Sequence, residues 1–104
     1  MENNILVLAA TSFEISPFIE TLRKDNKQFG KNNIDILIPG IGLTATTYHL
    51  TKQLALKDYS LVIQAGVAGS FDLKIPLGNI VAVKQDTIAD QSVVERKKLK
   101  TLFD

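Results

Sequence analysis

Short, continuous apolar runs recur along the chain: NILVLAA (residues 4–10), NIDILIPG (33–40) and YSLVIQAG (59–66). Runs of this length, rich in β-formers, read as strands buried within a sheet rather than as half-solvated strands, which would alternate apolar and polar residues. Helical patterns separate them. After the first run, Pro17 lacks an N–H and is tolerated in a first turn, so the spacing predicts a helix beginning near Ser16 with Phe18, Ile19 and Leu22 on its inner face, fading over residues 24–26. After the second run, stopped by Pro39 and Gly40, the segment LTATTYHLTKQLAL (43–56) sets Leu43, Tyr48, Leu50 and Leu54 near helical spacing. A fourth strand is expected in LGNIVAVKQD (77–86), entered through a turn at residues 76–79. The expected order, β-α-β-α-β-β, implies an α/β fold with a mostly parallel sheet flanked by helices.

Composition narrows the function classes. With 104 residues and 45% hydrophobic against 22% charged, the chain is expected to fold as one small domain around one core. Lysine plus arginine number 12 and aspartate plus glutamate 11, and a net charge of +1 supplies no field that would gather nucleic acid or an anionic membrane. A small molecule is the expected partner. The absence of cysteine and the presence of a single histidine exclude disulfides, thiolate metal sites and a His-rich metal centre; neither metal nor cofactor is expected. The first apolar run is too short to span a membrane, and Glu2 with two asparagines stands where a signal peptide would be positive, so a cytoplasmic location is expected. No repeat or linker marks a boundary, and VVERKKLKTLFD ends on the apolar pair Leu102 and Phe103 before Asp104, so the fold is expected to be incomplete at its C-terminus.

In open α/β sheets, ligands bind beyond the carboxyl ends of the strands, where residues 11–14, 40–42 and 66–70 fall here. Gly66, Ala68, Gly69 and Ser70 carry so little side chain that another segment or a ligand can approach the backbone. GIGLTA (40–45) satisfies the dinucleotide fingerprint, but it follows the second strand, and Asp58 precedes its strand instead of ending it. A glycine turn for tight packing, or close approach to some other ligand, fits better. Glu14 has two readings: a general base facing the cleft, or the last member of the capping box Thr11-x-x-Glu14. That box would place Pro17 beyond the first turn, so spacing alone leaves both open. His49, in the middle of a helix, reads as a surface residue, and Arg96, Lys97, Lys98 and Lys100 as a solvated face. No G-x-S-x-G elbow is present.

Taken together, VLAATSFEI, PGIG and VIQAGVAGSFDLKIPLGNIV resemble the first strand and glutamate loop, the second glycine turn and the most recognisable block of the purine nucleoside phosphorylase and nucleosidase superfamily. The likeness runs through nearly the whole chain in one register. Within it, AATSFE, TATTYHLT and IADQSVVE look closest to the futalosine hydrolases, which are nucleosidases of menaquinone biosynthesis; the methylthioadenosine/adenosylhomocysteine nucleosidases are the near relatives. The resemblance implies a nucleoside phosphorylase-like fold, a homo-oligomer and a purine nucleoside as substrate. It sets Glu14 on the catalytic glutamate, Val67, Ala68 and Gly69 beside base and ribose, and Ile41 near the 5′ substituent.

Phosphorylases of this group hold phosphate with an arginine in the first loop and, in one branch, another at the strand end. The matching places here hold AATSFEI, Gln64 and Val67, without a cation. A phosphate dianion leaving water needs charge-assisted partners, so a neutral water is the expected nucleophile. The superfamily's second half supplies a ribose-binding glutamate and an aspartate that protonates the base. Residues 1–104 are therefore expected to be the amino-terminal half of a single domain, inactive alone. Where the near relatives carry a His-Asp pair, this chain has Ala89 and Asp90, the latter without an assigned role. A different class remains open: a non-catalytic nucleoside-binding half-domain that pairs with another chain through an open sheet edge.

Overall fold

The computed structural model describes residues 3–24 and 30–87, and the backbone of residues 92–95 and 98–101. The chain divides into two compact units, Met1–Gly69 and Ser70–Asp104. The first has α/β character: β1 (Asn4–Leu8), α1 (Ser12–Lys24), β2 (Asn33–Leu37), α2 (Leu43–Leu56) and β3 (Leu61–Gln64). The strands form a parallel sheet in the order β2-β1-β3, with Leu6 opposite Asp35 on one side and Val62 on the other. Bonds from the Ala9 N–H to the Leu37 carbonyl (3.2 Å) and from the Ala65 N–H to the Leu8 carbonyl (2.8 Å) carry the pairing up to the loops.

Because the chain steps from β1 to β2 and then back across β1 to β3, right-handed crossovers put α1 and α2 on opposite faces. Burial follows the same parity. Val7 and Ala9 pack with Ile15 of α1, joined by Ile5, Phe18, Ile19, Ile34 and Ile36, while Leu6 and Leu8 are buried on the other face. β1 fits the expectation of a strand buried on both faces because it alone in this sheet has a neighbour on each edge. Fully burying a leucine stabilises by about 1.5–3 kcal/mol, so Leu6 and Leu8 are the anchors of that second face.

β3 departs from the expected burial. Leu61, Val62 and Ile63 are 50, 40 and 43% exposed, because β3 is an edge of the sheet and α2 buries none of its own residues. The bounds of α2 are those its sequence pattern predicts, while Leu43, Tyr48 and Leu54, three of the residues set near helical spacing, are exposed.

α1 starts at Ser12, earlier than Pro17 suggests, and Pro17 lies inside the helix. The missing N–H of a proline at this point would leave the Phe13 carbonyl without its helical donor. Ser16 replaces it: its Oγ donates to that carbonyl at 3.3 Å. The earlier start brings Ile15 into the core, a residue that the later start left outside the helix.

In the second unit, the Ile75 N–H donates to Asp72 O (3.2 Å) and the Asn79 N–H to Pro76 O (3.4 Å), so the expected turn at residues 76–79 forms, with Gly78 at φ 86. The strand expected over residues 77–86 does not. Among the described residues, this segment has no ladder partner, and Ile80, Val81 and Val83 are exposed. β-propensity alone does not make a strand, because its backbone groups need a neighbour to bond. The regular structure of this unit is instead an antiparallel pair, β4 (Ser92–Glu95) with β5 (Lys98–Thr101), Val93 standing opposite Lys100. Asp90, Arg96, Lys97 and the terminal residues 102–104 lie outside the described residues.

Candidate functional site

The carboxyl ends of the three parallel strands present the loops that carry the candidate residues. In the first loop the capping box forms. The Glu14 N–H donates to Thr11 Oγ1 at 3.4 Å, and the Thr11 N–H returns a bond to Glu14 Oε2 at 3.1 Å. The Thr11 hydroxyl also donates to Oε2, at 3.0 Å. The objection raised by Pro17 is met by Ser16, so Glu14 is the third residue of α1 and caps its first turn.

Glu14 also faces the loop after β3. Oε1 makes no hydrogen bond among the described residues, and a Cβ built on Gly66 would lie 3.9 Å from it. The half-buried carboxylate and the Gly66 backbone are thus neighbours, and at Gly66 the loss of side chain after β3 has a visible consequence. No wall of side chain separates the first loop from the third at this point.

The second loop has a local explanation for its glycines. Gly40 and Gly42 have φ of 97 and 104, values L side chains rarely adopt, and the Gly42 carbonyl accepts the first bond of α2 from the Thr46 N–H at 3.1 Å. GIGLTA is therefore accounted for as a strand-to-helix turn. Ile41 between those glycines and Val67 on the third loop are 80 and 82% exposed. Ala68 and Gly69 are exposed as well, and a Cβ at Gly69 would meet nothing within 4 Å. The structure thus joins Glu14 to the third loop at Gly66 and leaves Ile41, Val67, Ala68 and Gly69 open to solvent. Phe13, the second residue of α1 and 87% exposed beside Glu14, is a further apolar residue at this end of the sheet that no motif singles out. Its position one residue before the glutamate was the available signal.

A second polar cluster tethers the return from α2 to β3, which enters the sheet from the end opposite Glu14. Lys57 Nζ (2.8 Å) and Tyr59 Oη (2.6 Å) both donate to Asp35 Oδ2, and Gln53 Nε2 donates to Tyr59 Oη (2.6 Å). The hydrogen bond from Lys57, followed by that from Tyr59, holds the Asp35 carboxyl below the usual aspartate range. The same carboxylate raises Lys57; Tyr59 is raised by burial first and by its bond to Asp35 second. These shifts are those of a surface tether with each donor committed. His49 is exposed on α2, edge-on to Tyr48 at 5.0 Å, in keeping with a surface residue. Among the described residues, no group of three or more acidic or histidine side chains could hold a metal ion, and no helix is long and apolar enough to cross a membrane.

The chain matches no family model, no curated protein and no solved structure.

Proposed function

We propose that these residues form the amino-terminal half of a nucleosidase that hydrolyses the N-ribosidic bond of futalosine and releases hypoxanthine, a reaction of menaquinone biosynthesis. The observation that carries this reading is the placing of the Glu14 carboxylate at the carboxyl end of the sheet, with Oε1 turned to the backbone of Gly66. The motifs AATSFE and VIQAGVAGSF supply the same two loops in the resemblance described above.

In the proposed reaction a water attacks C1′ of the ribose from the Glu14 side. Its proton passes to Glu14, its oxygen bonds to C1′, and the C1′–N bond breaks with its electron pair retained by the purine, which takes a proton on a ring nitrogen. Positive charge builds on the ribose in the oxocarbenium-like transition state, and the nearby carboxylate favours it. Val67, Ala68 and Gly69 border base and ribose, and Ile41 the 5′ substituent. Their exposure leaves them available to a nucleoside. The ribose-binding glutamate and the aspartate that protonates the base would come from the second half of the domain. The working form would be a cytoplasmic homo-oligomer.

A second reading is favoured by the capping box itself: Glu14 would serve only the start of α1, and the chain would bind a nucleoside without turning it over. Incubating the full-length polypeptide with futalosine and with methylthioadenosine, and following free bases by chromatography, separates the cases. Hypoxanthine supports the reading given first, and adenine moves it to the methylthioadenosine/adenosylhomocysteine nucleosidases. Nucleoside binding by calorimetry without release selects the binding module. Neither binding nor release overturns both.

A further inference from the structure

Resting on the reading above, we propose that Thr11 is a positioning residue that aims Glu14 at the attacking water. Its N–H and its hydroxyl both donate to a single carboxylate oxygen, Oε2, at 3.1 and 3.0 Å. The terminal torsion of a glutamate is otherwise broad and nearly free. Two bonds on one oxygen fix it, and the other oxygen is left on the side of Gly66, where a Cβ would lie 3.9 Å away.

Capping alone does not call for this arrangement. A helix cap needs the Thr11 oxygen to accept from the Glu14 N–H, and that contact, at 3.4 Å, is the longest of the set. A capping box adds the bond from the Thr11 N–H, whereas the hydroxyl bond to Oε2 belongs to neither requirement. Both donors are neutral and keep their protons, so Oε2 stays anchored while Oε1 accepts a proton from water.

Substitutions at Thr11 separate capping from positioning. Thr11→Ser keeps cap and donor, Thr11→Val loses both, and Thr11→Asp keeps an excellent cap acceptor but, as a carboxylate, has no side-chain proton to donate. The measurement is steady-state hydrolysis of futalosine by the full-length polypeptide, beside thermal melts of each variant and of Glu14→Gln. Positioning predicts that Val and Asp each lower kcat about 10-fold or more with KM held within about twofold, and that Ser restores it. Melting temperature should stay near the parent in Ser and fall in Val, which loses the cap, and in Asp, whose carboxylate would stand about 3 Å from Oε2, so kcat is read at a temperature where all three are folded. A loss of kcat shared by Val and Asp while both are folded is assigned to the missing donor, since Val adds no charge and Asp keeps the cap acceptor.

Wild-type turnover in Thr11→Asp or in Thr11→Val, read where both are folded, overturns the role of Thr11. If Glu14→Gln is at least about 100-fold impaired in that same experiment, the nucleosidase reading survives while the Thr11 proposal fails. Full turnover in Glu14→Gln, or a parent protein that releases no base, overturns both.

Discussion

Asp35 and Glu14 sit in one small sheet unit and are each held through a single oxygen, yet their partners differ in kind. Asp35 Oδ2 meets an ammonium and a phenol, while among the described residues Glu14 Oε2 meets only the neutral donors of Thr11. A charged partner favours the ionised carboxylate strongly and ties it to one state. Neutral donors orient a carboxylate without adding a countercharge. The surroundings differ likewise: Asp35 lies among long side chains from α2 and the connection to β3, and Glu14 faces a glycine backbone. One carboxylate is built to stay, the other to be approached.

The largest expected effect breaks this contrast at Glu14. Glu14→Gln keeps an oxygen that accepts from Thr11, so the cap and the melting temperature should hold. Turnover of the full-length polypeptide should fall about 100-fold or more, since the amide cannot take the proton. Unchanged turnover on futalosine would make Glu14 a structural carboxylate like Asp35.

Next in size is the glycine that Glu14 faces. Gly66→Ala adds a Cβ at an ordinary contact distance of 3.9 Å and should be tolerated, whereas Gly66→Val places methyl groups towards Oε1. We expect Gly66→Val to lower kcat/KM about 10-fold by crowding the position of the water, against at most a small effect for Ala. Gly69→Val, in open space, should weaken nucleoside binding measured by calorimetry without changing the melting temperature. Equal behaviour of Gly66→Ala and Gly66→Val would mean that the face of Glu14 towards the third loop is not where the reaction occurs.

Much of the first unit was legible because its signals were local. Continuous apolar runs marked β1, β2 and β3, and the helical pattern of α2 gave its bounds. Thr11 and Glu14 were recognisable as a capping box, but Pro17 argued against it. The deciding contact, from Ser16 to the Phe13 carbonyl, is a side-chain substitution for a missing backbone donor that spacing rules do not contain. The misreadings elsewhere are tertiary. Leu61 to Ile63 read like the residues of β1, and the edge position of β3 together with an α2 that buries none of its own residues leaves them exposed. Residues 80–83 have the composition of a strand and no ladder partner among the described residues. The β4 and β5 pair was hidden because Lys98 and Lys100 drew the reading towards a charge run, when Val93 and Val94 already pointed to a strand. Of the candidate site, Glu14 came from motif and resemblance; its proximity to Gly66 required the fold.

Turning to the Asp35 side, Tyr59→Phe removes a donor to Asp35 and an acceptor for Gln53 while keeping the ring. A net loss of about 1 kcal/mol is expected in urea unfolding, typical of a hydrogen bond whose partners reach water once it is broken. The catalytic parameters should not move, because the cluster and Glu14 belong to opposite ends of the sheet. A loss of turnover with Tyr59→Phe would show that the ends are coupled.

The smallest effect is read from pH. The folded value of Asp35 is depressed, so its contribution is fully present above the ordinary aspartate pKa of about 3.9 and is lost as pH falls through the lower, folded value. Lys57 and Tyr59 are raised, so their contribution is present below their ordinary values of about 10 and is lost as pH climbs through the folded ones. Together they give a plateau of stability between about pH 4 and 10 that erodes on both sides. Asp35→Asn should flatten the acid limb of a plot of melting temperature against pH and part of the alkaline limb, the share of Tyr59 that comes from burial remaining, and high salt should do part of the same to the parent protein by screening an exposed pair. Glu14→Gln should leave the alkaline limb untouched, since Lys57 and Tyr59 answer to Asp35 alone among the carboxylates. Flattening of that limb by Glu14→Gln would erase the distinction between the two carboxylates.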